Sequence, residues 1–229
     1  GLNLHHACEY VGVKKILSIM TSCAYPDTGM DVLKEETFWN GLPNKTIRAH
    51  GIAKRMLQVA SEAYNEQYEL NASTVCVTNL YGPNDTFNLI RTKVVGALIR
   101  KFVEAKIEEE GAVECWGTGN PMREFMYVED AAEAIVQALQ KYNDHSQPLN
   151  IGTGKDISIK QLVEYIISAV NYEGDVDWNT DKPDGQMKKL LDTTRMKEYI
   201  DITPIEISEG IKKTVQWYIS NKDEADAKK

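Results

Sequence analysis

Two hydrophobic periods alternate along this chain, and that alternation limits its fold more than any other feature. "KKILSIM" (14–20) and "ASTVCVTNL" (72–80) read as short, largely apolar strands, whereas residues 48–68 repeat their apolar positions at helical spacing through "AKRMLQVASEAYNEQY". The pattern continues with a helix over 92–106, a strand in "VECWG", a helix in "AAEAIVQALQKY" and a strand and turn in "PLNIGTG". "SIKQLVEYIISAV" then reads as a helix begun by Ser158, and "IEISEGIKKTVQWYISNK" as the final helix. Near-continuous apolar strands separated by amphipathic helices predict an α/β fold, a parallel sheet covered by helices. "LNLHHACEYVG" patterns as a helix end closed by Gly12, so the chain is expected to open in mid-fold, and the closing "DEADAKK" is polar and expected to fray.

Composition removes several function classes. The chain has 34 acidic against 26 basic residues, a net charge of -8, and no long basic run, which speaks against a nucleic-acid or anionic-membrane surface. No apolar stretch reaches the roughly 18 to 20 residues that span a bilayer, and the opening residues lack a basic-then-apolar leader pattern, so a cytoplasmic protein is expected. Cys8, Cys23, Cys76 and Cys115 show neither a CxxC nor a Cys/His ligand spacing; individual thiols are expected, without a disulfide framework or metal site.

Six ordered blocks carry a more specific signal: "TSCAYP", "HGIAK", "TNLYGPND", "WGTGNPMREFMYVEDAA", "NIGTG" and "KPDGQMKKLLDTTR". In order and nearly in spacing they resemble the GDP-L-fucose synthase family of extended short-chain dehydrogenase/reductases, from about residue 3 to residue 220. The resemblance implies a partial Rossmann-type parallel sheet without its N-terminal strands, and a small α/β substrate-binding domain. Residues 1–90, with later returns near 120–155, would form the C-terminal part of the NAD(P)-binding domain, and 91–229 mainly the nucleotide-sugar domain. It further implies epimerisation and NADPH-dependent reduction of a GDP-linked 4-keto-6-deoxysugar, and a possible homodimer through a helix pair.

By family position, Thr21 would orient the substrate carbonyl, Cys23 would supply the epimerising thiolate, and Lys54 would support proton transfer and touch the nicotinamide ribose. Asn79 would line the nicotinamide and sugar face. Lys101, Trp116, Arg123 and Lys189 fall where the family binds GDP: cations neutralise a diphosphate and an indole meets a base. The bland reading of Cys23 is a small buried turn residue, against which its place inside "TSCAYP" rather than on an apolar stripe speaks, and each cation taken singly reads as a solvated surface group.

Two positions depart from the family. His50 stands in place of its tyrosine, and Lys93 in place of the histidine that partners the cysteine. Free histidine titrates near ~6.5 against ~10 for tyrosine, so a neutral imidazole is a poor acid at neutral pH, though it can still donate an N–H to a developing oxyanion. Lys93 can act as an acid or an electrostatic clamp but is a poor base while protonated. Both departures leave open a non-catalytic nucleotide-sugar-binding homologue, or an enzyme of a different nucleoside-diphosphate sugar. No GxxGxxG occurs anywhere, and an open strand edge is expected where the family's first strands would pair; the chain is therefore expected to be part of a longer protein or completed by another chain.

Overall fold

A computed structural model of the protein describes residues 1–227. In chain order the elements are α1 (Leu2–Tyr10), β1 (Lys15–Thr21), β2 (Val32–Leu33), α2 (Arg48–Tyr68), β3 (Asn71–Val77), β4 (Asn79–Tyr81), α3 (Val94–Ile107), β5 (Ala112–Trp116) and β6 (Met122–Tyr127). They continue with α4 (Val128–Lys141), β7 (Leu149–Ile151), β8 (Asp156–Ser158), α5 (Ile159–Val170), β9 (Asp175–Asn179), β10 (Lys188–Leu191), α6 (Met196–Tyr199), α7 (Ile207–Ser220) and α8 (Lys222–Ala227). The α/β alternation is the expected one, and two compact units are built from it. One comprises residues 1–79, 130–154 and 190–203; the other comprises 80–129, 155–189 and the described residues from Pro204 onward.

The first unit is organised by a parallel sheet in the order β1-β3-β7. Its register runs from Lys15 opposite Asn71 to Thr21 opposite Val77, and from Val75 opposite Leu149 to Val77 opposite Ile151. Thr21, Val77 and Ile151 therefore mark one carboxyl edge, the edge where ligands of such sheets collect. β3 is buried from Ala72 to Val77, as a central parallel strand should be. β1 stands at a sheet edge and leaves Ile19 exposed. α2 packs on β1 and β3, and Met20, Cys76, Phe38 and Leu191 close the core beside the turn that follows β1.

In the second unit α3, α5 and α7 bury Phe102, Ile166 and Tyr218 in one cluster with Phe125 of β6, and Phe87 stacks on Tyr218 with ring centroids 4.4 Å apart. Ser158 opens α5 through a capping box with Gln161, the start expected from the sequence. β6 lies parallel to β10 and antiparallel to β8, while β5 pairs in parallel with β9.

One expectation is overturned at the C-terminal end. "IEISEGIKKTVQWYISNK" does not hold the final helix and "DEADAKK" is not frayed throughout, because α8 follows α7. Its polar residues are paired: Tyr218 Oη donates to Asp226 Oδ1 at 2.9 Å, Lys222 Nζ meets Asp226 Oδ2 at 2.5 Å, and Ala225 is buried. For Lys228 and Lys229 the expected fraying lies outside the described residues.

Candidate active site

The short turn after β1 carries the first group of candidates. Thr21 ends the strand in extended conformation, a single 3-10 turn covers Ser22–Ala24, and Thr21 Oγ1 accepts the Cys23 amide at 3.4 Å. α2 lies directly against this turn. A side chain at Gly51 would place its Cβ 2.6 Å from the Cys23 carbonyl oxygen and 2.8 Å from Pro43, so only a glycine lets the helix come this close. His50 precedes that contact, and Lys54 lies one helical turn on, on the same face as His50. Lys54 Nζ donates to the Ile19 carbonyl at 3.2 Å, which places the ammonium beside the last residues of β1. Asn79 begins β4 two residues beyond Val77, at the same carboxyl edge as Thr21. Thr21, Cys23, His50, Lys54 and Asn79 thus belong to one unit, with Thr21 and Cys23 half-buried and His50 exposed.

The remaining candidates belong to the other unit. Arg123 and Lys189 are register partners on β6 and β10, so their side chains leave the same face of the strand pair. The Arg123 guanidinium is half-buried; desolvation lowers its pKa, and Nη1 donates to the Met122 carbonyl at 2.8 Å. Lys101 Nζ donates to the Glu114 carbonyl at 2.9 Å and lies 5.8 Å from the centre of the Trp116 ring. Trp116 is 63% exposed, an indole presented to solvent. Lys93 is exposed at the N-cap of α3, about 12 Å along that helix from Lys101 at 1.5 Å per residue.

Several residues that shape these groups gave no signal in the sequence. In the first unit Arg55 is buried and its guanidinium donates to the carbonyls of Ala24 and Gly41. In the second, Glu114 accepts the Trp116 indole N–H at 3.2 Å and the Asn179 amide at 3.0 Å, which fixes the ring, and Lys182 Nζ approaches that ring to 5.4 Å. Asp184 accepts from both the Thr118 amide and its hydroxyl, pinning the loop that also holds Lys182 and Gly185; a Cβ on Gly185 would lie 3.8 Å from Arg123 Nη2. That loop links the neighbourhoods of Trp116 and Arg123. Among the described residues no group of three or more His, Cys, Asp or Glu could hold a metal ion, no helix is long and apolar enough to cross a membrane, and all four cysteines are thiols.

Residues 1–152 match the NAD dependent epimerase/dehydratase family. The chain belongs to this family. The chain is similar to the GDP-L-fucose synthase of Escherichia coli (strain K12), 35% identical over 229 residues, a match that covers 96% of this chain and 71% of that protein. The crystal structure of a GDP-L-fucose synthetase from Naegleria fowleri bound to NADP superposes with a TM-score of 0.92 at 29% identity, covering 98% of this chain and 73% of that one. A GDP-6-OMe-4-keto-L-xylo-heptose reductase from C. jejuni gives a TM-score of 0.86 at 29% identity over 96% of this chain and 74% of its own. The Rossmann-type α/β architecture of the epimerase/dehydratase family is therefore that of this chain.

Proposed function

We propose that this protein is a nucleotide-sugar epimerase/reductase acting on a GDP-linked 4-keto-6-deoxysugar, similar to GDP-L-fucose synthase, with two altered proton-handling residues. The observation that supports the reading is the close approach of α2, at Gly51, to the Cys23 carbonyl, with the Lys54 ammonium on the Ile19 carbonyl at the same end of β1. In this reading the Cys23 thiolate removes the proton from the carbon next to the ketone, where the resulting carbanion is stabilised as an enolate. Thr21 orients the carbonyl, and a His50 N–H donates to its oxygen as negative charge develops there, with the Lys54 ammonium adding electrostatic stabilisation. Lys93 serves as the second proton-handling group or as a clamp on charge.

NADPH is the cofactor of this reading and would supply the hydride for reduction at C4. Lys54 and Asn79 suit its nicotinamide end by chemistry and by place, at the carboxyl edge of the sheet; no glycine-rich turn for its pyrophosphate occurs in these residues, so no step is assigned to that end. Arg123, Lys189 and Lys101 would neutralise the GDP diphosphate through charge-assisted hydrogen bonds, and Trp116 would offer its face or edge to the base. Against a net charge of -8, the paired Arg123 and Lys189 would form a local exception that suits an anionic ligand.

The substitutions at His50 and Lys93 favour a second reading, a homologue that binds the nucleotide sugar without turning it over. The likeness to a GDP-6-OMe-4-keto-L-xylo-heptose reductase favours a third, the same chemistry on a different keto sugar. Solvent deuterium should enter C3 and C5 of GDP-4-keto-6-deoxymannose, and NADPH should be oxidised, if the first reading holds. Neither event, with GDP still protecting the protein from heat, would favour binding alone; NADPH consumption only with another keto sugar would favour the third. We also place the protein in the cytoplasm, as four thiols suit a reducing compartment, and as a homodimer through α2, whose Ile52, Met56 and Val59 stay partly exposed at helical spacing. Light scattering on a Met56→Glu variant tests the dimer; an unchanged mass would refute that surface.

A further inference from the structure

The turn that holds Cys23 touches α2 at two places one helical turn apart. At the first, the Gly51 backbone packs on the Cys23 carbonyl. At the second, Arg55 Nε donates to the next carbonyl, that of Ala24, at 2.6 Å. The same guanidinium reaches a third piece of chain: Nη1 donates to the Gly41 carbonyl at 2.7 Å, in the segment that meets the turn where the Asp27 amide donates to the Leu42 carbonyl and where a Cβ on Gly41 would lie 3.4 Å from Pro26. Phe38 and Trp39 wall the cation at 5.2 Å and 5.5 Å from their ring centres. Arg55 is only 6% exposed, and its remaining nitrogen, Nη2, is buried with no partner among the described residues. A buried charge with an orphan N–H is a poor choice for stability alone, because an apolar side chain of similar volume would avoid both costs. A rigid planar fork is, however, the side chain that can hold two carbonyls from different segments in fixed geometry.

We infer that Arg55 is a positioning residue, which sets where the Cys23 thiol stands relative to His50 and Lys54 by locking the 22–26 turn and the 39–43 segment onto α2. The inference rests on the reading of Cys23 as the reacting thiol. Lysine at this position keeps the charge but can aim at one carbonyl at a time, and methionine leaves both unpaired. Either change should let the turn open locally while the sheet beneath it stays closed.

Iodoacetamide labelling under native conditions, resolved by mass spectrometry for each cysteine, tests this in wild type, Arg55→Lys and Arg55→Met. Cys23 should be labelled roughly fivefold faster or more in the variants, with the buried Cys8, Cys76 and Cys115 unchanged, because only a local opening has become easier. For deuterium exchange into the sugar, kcat should fall roughly tenfold with KM within about twofold, the mark of lost geometry at the reacting atoms. An unchanged Cys23 rate in a folded variant would overturn the proposal; so would all four thiols accelerating together, since that is general destabilisation. If Arg55→Met does not fold, Arg55→Lys, which retains a donor, decides. A wild type that exchanges no deuterium, combined with selective acceleration at Cys23 in the variants, would sink the functional reading and uphold the positioning role.

Discussion

The turn after β1 and the β6–β10 strand pair hold their polar candidates in contrasting ways. Around Cys23 the geometry is set by backbone: a glycine against a carbonyl, an amide on the Thr21 hydroxyl and a buried guanidinium tying two loops together. Around Arg123 and Lys189 it is set by strand register, and the ends of the side chains are long and partly solvated. Bond-making chemistry needs reacting atoms held to within about an ångström, whereas a diphosphate needs charge at the right density and tolerates supple donors. In the proposed function the residues around Cys23 would set rate, and those around Arg123 affinity.

The sharpest way to break that division is to remove one partner from each side. Cys23→Ala should lower deuterium exchange at C3 and C5 by at least about 100-fold, roughly 2.7 kcal/mol of barrier, while GDP protects the variant from heat as it does the wild type. Arg123→Ala should do the reverse, raising the Kd for GDP about 30-fold, near 2 kcal/mol for lost charge-assisted bonds, with kcat little altered. Calorimetric titration and exchange rates on both variants decide; a loss of affinity in the first or a collapse of kcat in the second would show that the division is false.

Much of this arrangement was legible in the chain itself, and what was not has a physical reason. The bounds of α2 and the Ser158 start of α5 follow from periodicity and capping, which are local. β6 and β10 give no strand signal because "MREFMY" carries a charged residue on each face, which blurs the alternation, and "KKLL" has four residues; only pairing across more than sixty residues makes them strands. Arg55 reads as an ordinary helix cation, since the carbonyls it serves lie 31 and 14 residues away. The C-terminal "DEADAKK" looked solvent-bound because composition cannot show that Asp226 has Lys222 and Tyr218 as partners.

His50 gives the comparison its next test. If the first unit is an intact, rigid site with one compromised proton donor, His50→Tyr should raise NADPH oxidation at least tenfold, about 1.4 kcal/mol, with KM unchanged. The exposed position of His50 on α2 leaves room for the larger ring. No gain in a folded variant would mean that this end of β1 has been reshaped for other work, and the contrast between rate-setting and affinity-setting units would lose its first half.

The smallest effect concerns what keeps the turn rigid from beneath. Tyr25, at the end of the turn, donates to Asn150 Oδ1 at 2.7 Å; Asn150 in turn donates to the Leu33 and Asp192 carbonyls, and its own amide to Glu35 Oε1 at 3.0 Å. Burial raises the Glu35 pKa above its ordinary 4.5, outweighing the Asn150 hydrogen bond and the Arg195 guanidinium, which act the other way. The folded protein therefore holds this proton more tightly than the unfolded chain, so Glu35 contributes stability at acid pH that is lost as pH rises through its folded pKa. Glu35→Gln removes the titration and should flatten the fall of Tm as pH rises above the ordinary glutamate value of 4.5, leaving Arg123-dependent GDP affinity untouched. An unchanged slope would show that Glu35 does not supply the pH dependence of this buried network.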